Sequence, residues 1–304
     1  MSQELRLADG PCIPLGDSSY VPMGLMEGLK QLGDFGVQFS FSAFGVRIRI
    51  LLTDRRLLSQ TLERLPPGWT PDPADQPSQT YLISSTIRAA GTCRVQFSLY
   101  ENEVLIRRAI AGGSILDALE SRLQIHVAEF ADPGLFVHAG VVGWQGRALV
   151  LPGSSFAGKS TLVHALVRAG ATYYSDEYAV LDHEGRVLPY RRRISLRGND
   201  CEPSRRIDMN ASGPEDPPPP PLPIGLVAMS TYVDGADWQS HQVSGGAAFV
   251  ALCGQTVAIR RRPEDTFAIM EKIVASATVI EVTRGEAGPA AVRLLQECGS
   301  RQEA

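Results

Sequence analysis

An eight-residue segment, Gly153-Ser154-Ser155-Phe156-Ala157-Gly158-Lys159-Ser160, constrains the fold of this chain more than any other feature of the sequence. It matches the pattern of a glycine, four residues, a second glycine, a lysine and a serine. The apolar run RALVLP precedes it, and residues 161–169 follow with helical spacing of apolar side chains up to Gly170. The sequence therefore predicts strand, loop and helix in that order, the context in which this pattern forms a P-loop (Walker A motif).

The spacing of the P-loop follows from the demands of phosphate binding. Successive backbone N–H groups must approach the anion closely, which requires glycine where a Cβ would collide, and the helix N-terminus supplies a positive dipole. Lys159 would then reach the β- and γ-phosphates, and the Ser160 hydroxyl would bind Mg²⁺. The predicted nucleotide-binding residues are Gly153, Ser154, Ser155, Phe156, Ala157, Gly158, Lys159, Ser160 and Thr161. A glycine-rich turn that matches the pattern by chance is the alternative.

Two acids, Asp176 and Glu177, stand side by side within the apolar and aromatic run ATYYSDEYAVLD, which predicts a strand. Burial of a carboxylate without a partner is costly. Because the run comes one helix after the P-loop, this strand would bring both carboxylates to the γ-phosphate and its metal. An N-cap or turn pair is the ordinary alternative, since Ser-Asp is common in both.

Three segments in this order resemble the C-terminal kinase domain of HPr kinase/phosphorylase. They are His138 in FVHAGVV, the P-loop, and Ser175-Asp176-Glu177 before an apolar strand. That family has a histidine on the strand before its P-loop and Ala-Asp-Asp on the strand after the P-loop helix. The resemblance covers roughly residues 131–200. It implies an α/β domain with a fold similar to that of phosphoenolpyruvate carboxykinase, binding ATP and Mg²⁺.

The resemblance also implies roles for individual residues. Asp176 would be the general base that takes a proton from the acceptor hydroxyl, and Glu177, with Ser160, would hold Mg²⁺. His138 would lie beside Asp176 and orient it. Arg197, in the segment ISLRG, matches the end of the family's Glu-Ile-Arg-Gly signature and would contact phosphate; a surface arginine is the alternative.

The chain departs from the family at three positions. Ser195 replaces the signature glutamate, Glu177 replaces an aspartate, and Phe156 replaces a P-loop glycine. The family's C-terminal loop, which serves HPr recognition and dephosphorylation, has no clear match. The resemblance therefore does not extend to HPr as the substrate or to the phosphorylase reaction.

Composition limits the class of protein. A net charge of -4 argues against a general nucleic-acid binder, and five scattered cysteines without a CxxC suggest neither a disulfide framework nor a zinc site. The N-terminus MSQELRLADG has no apolar signal region, and no run of about 18 apolar residues follows. We expect a soluble cytoplasmic protein that binds neither nucleic acid nor membrane.

Two parts are predicted along the chain. Residues 1–130 form an α+β region of unknown role, with strands at 37–41, 46–50 and 93–100 and helices from Asp54 to 65 and over 114–130. Residues 131–304 form the ATP-binding domain. Its predicted later elements are strands at 225–233 and 278–282, which extend the sheet that carries the P-loop, and helices at 263–274 and 290–296.

A proline-rich loop interrupts this second part at residues 202–223 and includes five consecutive prolines, residues 217–221. A surface loop is the ordinary interpretation, and a flap over the active site is the functional one. Arginines at 191–193, 197, 205 and 206 make its surroundings basic, which suits an acidic or phosphorylated ligand or simply a solvated face.

The predicted reaction is transfer of the γ-phosphoryl group of ATP to a hydroxyl. Some relatives of the family tailor peptides, as lasso-peptide kinases do, and others phosphorylate free serine, so a serine of a peptide or protein is the first choice of acceptor. A regulatory ATP-binding protein without transfer activity and a nucleotide hydrolase are the alternatives. Relatives also assemble as hexamers, which leaves room for a homo-oligomer.

Overall fold

The computed structural model describes residues 30–32, 36–73, 76–90, 92–153, 158–192, 194–196, 205–207 and 218–300. The chain is mixed α/β with two large mixed sheets. Its described residues divide into two compact units. The first contains those up to Phe41, Arg47–Leu65 and Thr70–Glu120, and the second contains Ser42–Val46, Pro66–Trp69 and those from Ser121 onward.

The first unit carries a seven-stranded sheet. Its strands are β1 (Lys30–Leu32), β2 (Gly36–Ala43), β3 (Val46–Leu52), β4 (Thr70–Pro71), β5 (Gln79–Ala90), β6 (Thr92–Glu101) and β7 (Val104–Ala109), in the order β1-β2-β3-β5-β6-β7 with β4 beside β2. The β3–β5 pair is parallel, whereas β1–β2, β5–β6 and β6–β7 are antiparallel. Alternation along β2 and β3 buries one face, as the sequence predicted.

Two helices follow β3 and β7 along the chain, the second of which continues past Glu120 into the second unit. The one predicted from Asp54 is shorter than expected, because a 3-10 turn at Arg55–Leu57 precedes α1 (Leu58–Leu62), which ends before Pro66. Helix α2 (Gly112–Phe130) confirms the longer prediction and buries its apolar stripe.

The second unit carries an eight-stranded sheet. Its strands are β8 (Leu135–Trp144), β9 (Arg147–Pro152), β10 (Thr172–Ser175), β11 (Tyr178–Leu181), β12 (Val187–Leu188), β15 (Ile224–Tyr232), β16 (Gln239–Gln242) and β17 (Thr278–Arg284). They run in the order β12-β11-β8-β9-β15-β17-β16, with β10 also beside β8. Strands β13 (Ile194–Leu196) and β14 (Arg205–Ile207) form a separate antiparallel pair.

Three parallel strands, β9, β15 and β17, form the middle of this sheet. Their carboxyl ends therefore lie at one edge, which is where parallel sheets bind ligands. This arrangement confirms that the later strands extend the sheet that carries the P-loop. Helices α3 (Lys159–Arg168) and α6 (Ala287–Ser300) pack on one face, and α4 (Gly245–Gln255) and α5 (Pro263–Ser276) pack on the other.

A β-hairpin precedes the P-loop. Strands β8 and β9 pair antiparallel from Trp144 opposite Arg147 to Ala139 opposite Pro152. Gln145 and Gly146 form its two-residue turn, with φ of 48° and 78°. Positive φ at both turn positions matches the right-handed twist of the strands, so the turn fixes the register that leads β9 into the P-loop.

The run ATYYSDEYAVLD is not one strand, as the sequence suggested, but two. Strands β10 and β11 both pair with β8, and the chain bends at the two acids between them. The hydroxyl of Ser175 accepts hydrogen bonds from the backbone N–H groups of Glu177, at 3.2 Å, and Tyr178, at 3.1 Å. These bonds replace ladder bonds and remove the acids from the regular strand.

Two parts of the proline-rich loop belong to the described residues: 205–207, which form β14, and its end at 218–223. At that end, the Tyr174 hydroxyl donates a 2.7 Å hydrogen bond to the carbonyl of Pro220, and Leu222 pairs with Val187. This end of the loop therefore packs onto the sheet. None of the helices in the described ranges has both the length and the apolar character needed to cross a membrane.

Candidate functional site

The helix that follows the P-loop begins where the pattern places it. Gly158, with φ 74° and ψ 18°, precedes α3 in the left-handed conformation that favours glycine. No side chain in the described part of the chain caps this helix start, and the N–H groups of a helix's first turn are donors suited to an anion. The predicted binding residues Ser154, Ser155, Phe156 and Ala157 lie outside the described residues.

Lys159 lies back across the loop. Its Nζ donates a 2.7 Å hydrogen bond to the carbonyl oxygen of Gly153, at the end of β9. Burial lowers the pKa of Lys159, while Glu177 and Asp176 oppose that shift. The side chain therefore connects the start of α3 to the end of β9.

Asp176 is the centre of the site. The residue is 2% exposed. The Ser160 hydroxyl donates to its Oδ2 at 3.0 Å, and the Tyr173 hydroxyl lies 3.1 Å from its Oδ1. Arg192 approaches the same Oδ1 with Nε at 3.4 Å. Two hydroxyls and a guanidinium therefore compensate the burial of this carboxylate.

Tyr173 lies within this network. Burial raises the pKa of its hydroxyl, and the neighbouring Asp176 carboxylate raises it further. The hydroxyl is also 3.0 Å from the carbonyl oxygen of Arg192. Tyr173 therefore ties the acid to the chain segment that carries the arginine.

Glu177 is less enclosed than its neighbour. Its side chain is 30% exposed, and Nη2 of Arg192 lies 3.9 Å from its Oε2. Its backbone carbonyl accepts a 3.2 Å hydrogen bond from Ala139 on β8. The two acids therefore occupy different environments, one buried and hydrogen-bonded, the other open to solvent.

His138 lies on β8 opposite Tyr178, with the two ring centroids 4.8 Å apart. Its backbone carbonyl accepts a 3.2 Å hydrogen bond from Gly153, which joins β8 to the start of the P-loop. Burial lowers the pKa of His138; Glu177 opposes this shift and Lys159 adds to it. The charged groups that act on its ring are Glu177 and Lys159, and its place beside Asp176 stays a prediction.

The structure brings together most of the described candidates: His138, Lys159, Ser160, Asp176 and Glu177. Arg197 lies outside the described residues. The signature position Ser195 is on β13, opposite Arg206 of β14. Thr161 is in the first turn of α3 and is exposed.

Sequence reasoning missed three residues around this site: Tyr173, Arg192 and Arg284. Arg192 belongs to the run of arginines noted in the sequence, but nothing in that run distinguishes it from its neighbours. Arg284 ends β17 and is 3% exposed. A Cβ placed on Gly158 would lie 3.0 Å from its Nη2, so the guanidinium touches the start of α3.

The oxygen atoms near the helix start suit Mg²⁺ that arrives with a nucleotide. Ser160 and Asp176 contribute a hydroxyl and a carboxylate that are already in contact. Mg²⁺ in such sites takes one or two carboxylates and completes its shell with phosphate oxygens and water. The described residues hold no group of three or more His, Cys, Asp and Glu side chains arranged to bind a metal on their own.

A cleft of about 410 Å³ opens at the same sheet edge. Its lining includes Gly153 from the P-loop, Ser230 and Thr231 from β15, and His241 and Glu281 from the neighbouring strands. His241 Nε2 lies 3.1 Å from Glu281 Oε2. The cleft therefore offers a space with both polar and apolar walls beside the start of the loop.

Comparison with protein-family models and with curated proteins finds no match to this chain.

Proposed function

We propose that this protein is an ATP-dependent kinase that transfers the γ-phosphoryl group to a hydroxyl, with a serine of a peptide or protein as the acceptor of first choice. The observation that carries the proposal is the 3.0 Å hydrogen bond from Ser160 to Asp176. It joins the last residue of the P-loop pattern to the acid pair. If the glycine-rich segment matched the pattern only by chance, a hydrogen bond from its last residue to a buried carboxylate would not be expected.

The resemblance to the kinase domain of HPr kinase/phosphorylase belongs to the same proposal. The order of strand, P-loop, helix and acidic segment agrees with it, and so does the position of His138 on the strand before the loop. A P-loop kinase fold of that type is the finer assignment that we propose for the second unit.

In the proposed reaction, an acceptor O–H loses its proton to a carboxylate while its oxygen forms a bond to the γ-phosphorus. The bond from that phosphorus to the β–γ bridging oxygen breaks, and ADP leaves. Lys159 and the N–H groups at the start of α3 would bind the phosphates and stabilise their charge. Mg²⁺, held by Ser160 and an acid of the pair, supplies further neutralisation of the phosphate chain when bound.

The geometry favours an exchange of the roles predicted for the two acids. Asp176 contacts Ser160, the predicted metal-binding hydroxyl, and its oxygens already accept hydrogen bonds. Glu177 is more exposed and therefore more accessible to an acceptor hydroxyl. We propose Asp176 as the metal-side acid and Glu177 as the proton acceptor; the assignment drawn from the resemblance, the reverse of this one, stays a prediction to be tested.

The alternative of a regulatory ATP-binding protein has one observation in its favour. Arg192 contacts both acids, at 3.4 Å from Asp176 and 3.9 Å from Glu177. A guanidinium in this position occupies carboxylate oxygens that would otherwise receive a proton from the acceptor hydroxyl. If Arg192 stays there when nucleotide binds, the site would bind ATP without transferring its phosphate.

The experiment that separates these functions uses γ-labelled ATP, Mg²⁺ and the full chain. Label that moves to a serine peptide, a protein or free serine, and moves more slowly in both Asp176→Asn and Glu177→Gln at a limiting Mg²⁺ concentration, supports the kinase. Release of free phosphate alone supports a hydrolase, and binding without turnover supports the regulatory protein. If Lys159→Ala binds ATP as tightly as the wild type, the P-loop assignment itself is wrong.

A further inference from the structure

Arg284 is a buried cation at the carboxyl end of β17. Its Nε donates a 2.9 Å hydrogen bond to the Ser230 hydroxyl, and its Nη1 donates a 3.0 Å bond to the carbonyl of Gly285. Both acceptors are neutral. No Asp or Glu of the described ranges forms a recorded ion pair with this guanidinium. Burial lowers the pKa of Arg284, and Tyr232 and the exposed Glu286 oppose that shift. The Tyr232 ring centroid lies 5.5 Å from Cζ of Arg284, so the guanidinium has an aromatic neighbour but no carboxylate partner in the described part of the chain.

Burial of an unpaired charge is unfavourable, so a buried arginine normally has a carboxylate partner or a bound anion. Here the third nitrogen, Nη2, has no recorded acceptor among the described residues. It lies against Gly158, so close that a Cβ on that glycine would be 3.0 Å away. The free donor therefore faces the start of α3, beside the N–H groups that a phosphate would use.

Topology explains how this arginine reaches the P-loop. Strand β15 lies between β9 and β17, and all three run parallel. Their carboxyl ends share one edge, so the end of β17 comes near the loop that follows β9. The hydrogen bond to Ser230, on β15, fixes the guanidinium in this direction. A planar guanidinium with fixed orientation suits phosphate oxygens better than a flexible ammonium does.

We propose that Arg284 binds the phosphate chain of the nucleotide, as a second cation opposite Lys159. This inference rests on the proposed function, because it assumes that the P-loop binds a nucleotide. It adds a phosphate-binding residue that the P-loop pattern does not contain. It also assigns a role to Ser230, which would position the guanidinium without contacting the ligand.

The test compares ATP, pyrophosphate and adenosine by calorimetry at one ionic strength, using the wild type and Arg284→Met. Charge-assisted hydrogen bonds contribute about 1.5–3 kcal/mol, so we expect binding of ATP and pyrophosphate to weaken by about tenfold or more. Binding of adenosine, which lacks phosphate, should not change. Arg284→Lys should retain part of the affinity, because it keeps the charge but loses the planar geometry.

Several outcomes would overturn the inference. Equal weakening of all three ligands means that Arg284 only supports the fold, and unchanged pyrophosphate binding means that it does not contact phosphate. If Arg284→Met does not fold, Arg284→Lys and Ser230→Ala carry the test, and pyrophosphate binding at wild-type strength in both contradicts the proposal. Failure of the wild type to bind ATP or pyrophosphate would instead overturn the proposed function and this inference together.

Discussion

The Ser160 hydroxyl and the Asp176 carboxylate lie 3.0 Å apart, and this contact joins the first turn of the P-loop helix to the bend between two strands. Asp176 is almost completely buried, so each hydrogen-bond donor to its carboxylate helps to compensate the loss of hydration. The carboxylate is held by a serine, a tyrosine and an arginine from three different parts of the second unit. The site is therefore a connected polar network, and its members should respond to substitution as a group.

The first prediction concerns this coupling. Ser160→Ala should lower the free energy of unfolding by about 1–3 kcal/mol, because it removes a donor from a buried carboxylate. In an Asp176→Ala background the same change should cost less, with a coupling of about 0.5–3 kcal/mol. Urea unfolding of the wild type, Ser160→Ala, Asp176→Ala and the double variant measures this coupling free energy. Thr161→Ala, at an exposed neighbouring position, is the control, and equal costs in both backgrounds would show that the contact contributes nothing.

The second prediction concerns the close packing of the P-loop helix on β8. A Cβ on Gly140 would lie 2.5 Å from Cγ2 of Val163, a buried side chain of α3. Gly140→Ala should therefore destabilise the protein by about 1–3 kcal/mol. Thermal unfolding checks this value.

Two further variants make that experiment specific. Adding Val163→Ala to Gly140→Ala should recover part of the loss, since it removes the colliding methyl group. Gly254→Ala is the control, because no heavy atom of the described residues lies within 4 Å of its added Cβ. If Gly140→Ala behaves like Gly254→Ala, helix and strand are not in close contact.

The third prediction concerns pH. Burial lowers the pKa of His138 below 6.5 in the folded protein, so the folded state disfavours its protonation. The unfolded chain then binds more protons between the two pKa values, and stability rises with pH across that window. The contribution of His138 is complete above about pH 6.5 and is lost as pH falls towards the lower, folded value.

Thermal unfolding between pH 5 and pH 8 tests this sign. His138→Gln should unfold with a weaker dependence on pH below 6.5 than the wild type. His183→Gln is the matched control, since the side chain of His183 is 85% exposed. An unchanged pH dependence in His138→Gln would mean that the histidine is not held neutral by burial.

The elements that could be predicted from the sequence are those for which different local features of the sequence indicate the same structure. The positions of the glycines and the spacing of apolar residues both indicate β9 and α3, and the short gap Trp144-Gln145-Gly146 between two β-branched runs indicates the hairpin. Helix α4 was missed because its sequence, GGAAFVALCGQ, begins with two glycines and has no clear polar face. Its stability comes from burial against the sheet, which a local pattern does not reveal.

The candidate site, like the fold, could be predicted only where signals local in the sequence indicate it. Ser160 and Asp176 carry recognisable chemistry and lie one helix apart, so their meeting follows from chain order. The break between β10 and β11 depends on hydrogen bonds to Ser175, and the position of Arg284 depends on two parallel strand pairings. Both features depend on tertiary contacts. The sequence therefore predicted one continuous strand and did not distinguish Arg284 from other arginines.

The last prediction separates the roles of the two acids. Asp176→Asn should raise the Mg²⁺ concentration needed for half-maximal transfer by about tenfold, because it removes a charge from the group that contacts Ser160. Glu177→Gln should leave that concentration unchanged and lower the maximal rate by about 10²–10⁴-fold, as expected when a general base is removed. Initial rates over a Mg²⁺ titration at saturating acceptor distinguish the two.

The control is Glu184→Gln, on an exposed turn, which should change neither quantity. The opposite pattern, with Glu177→Gln altering the Mg²⁺ requirement and Asp176→Asn altering only the rate, would restore the assignment implied by the resemblance.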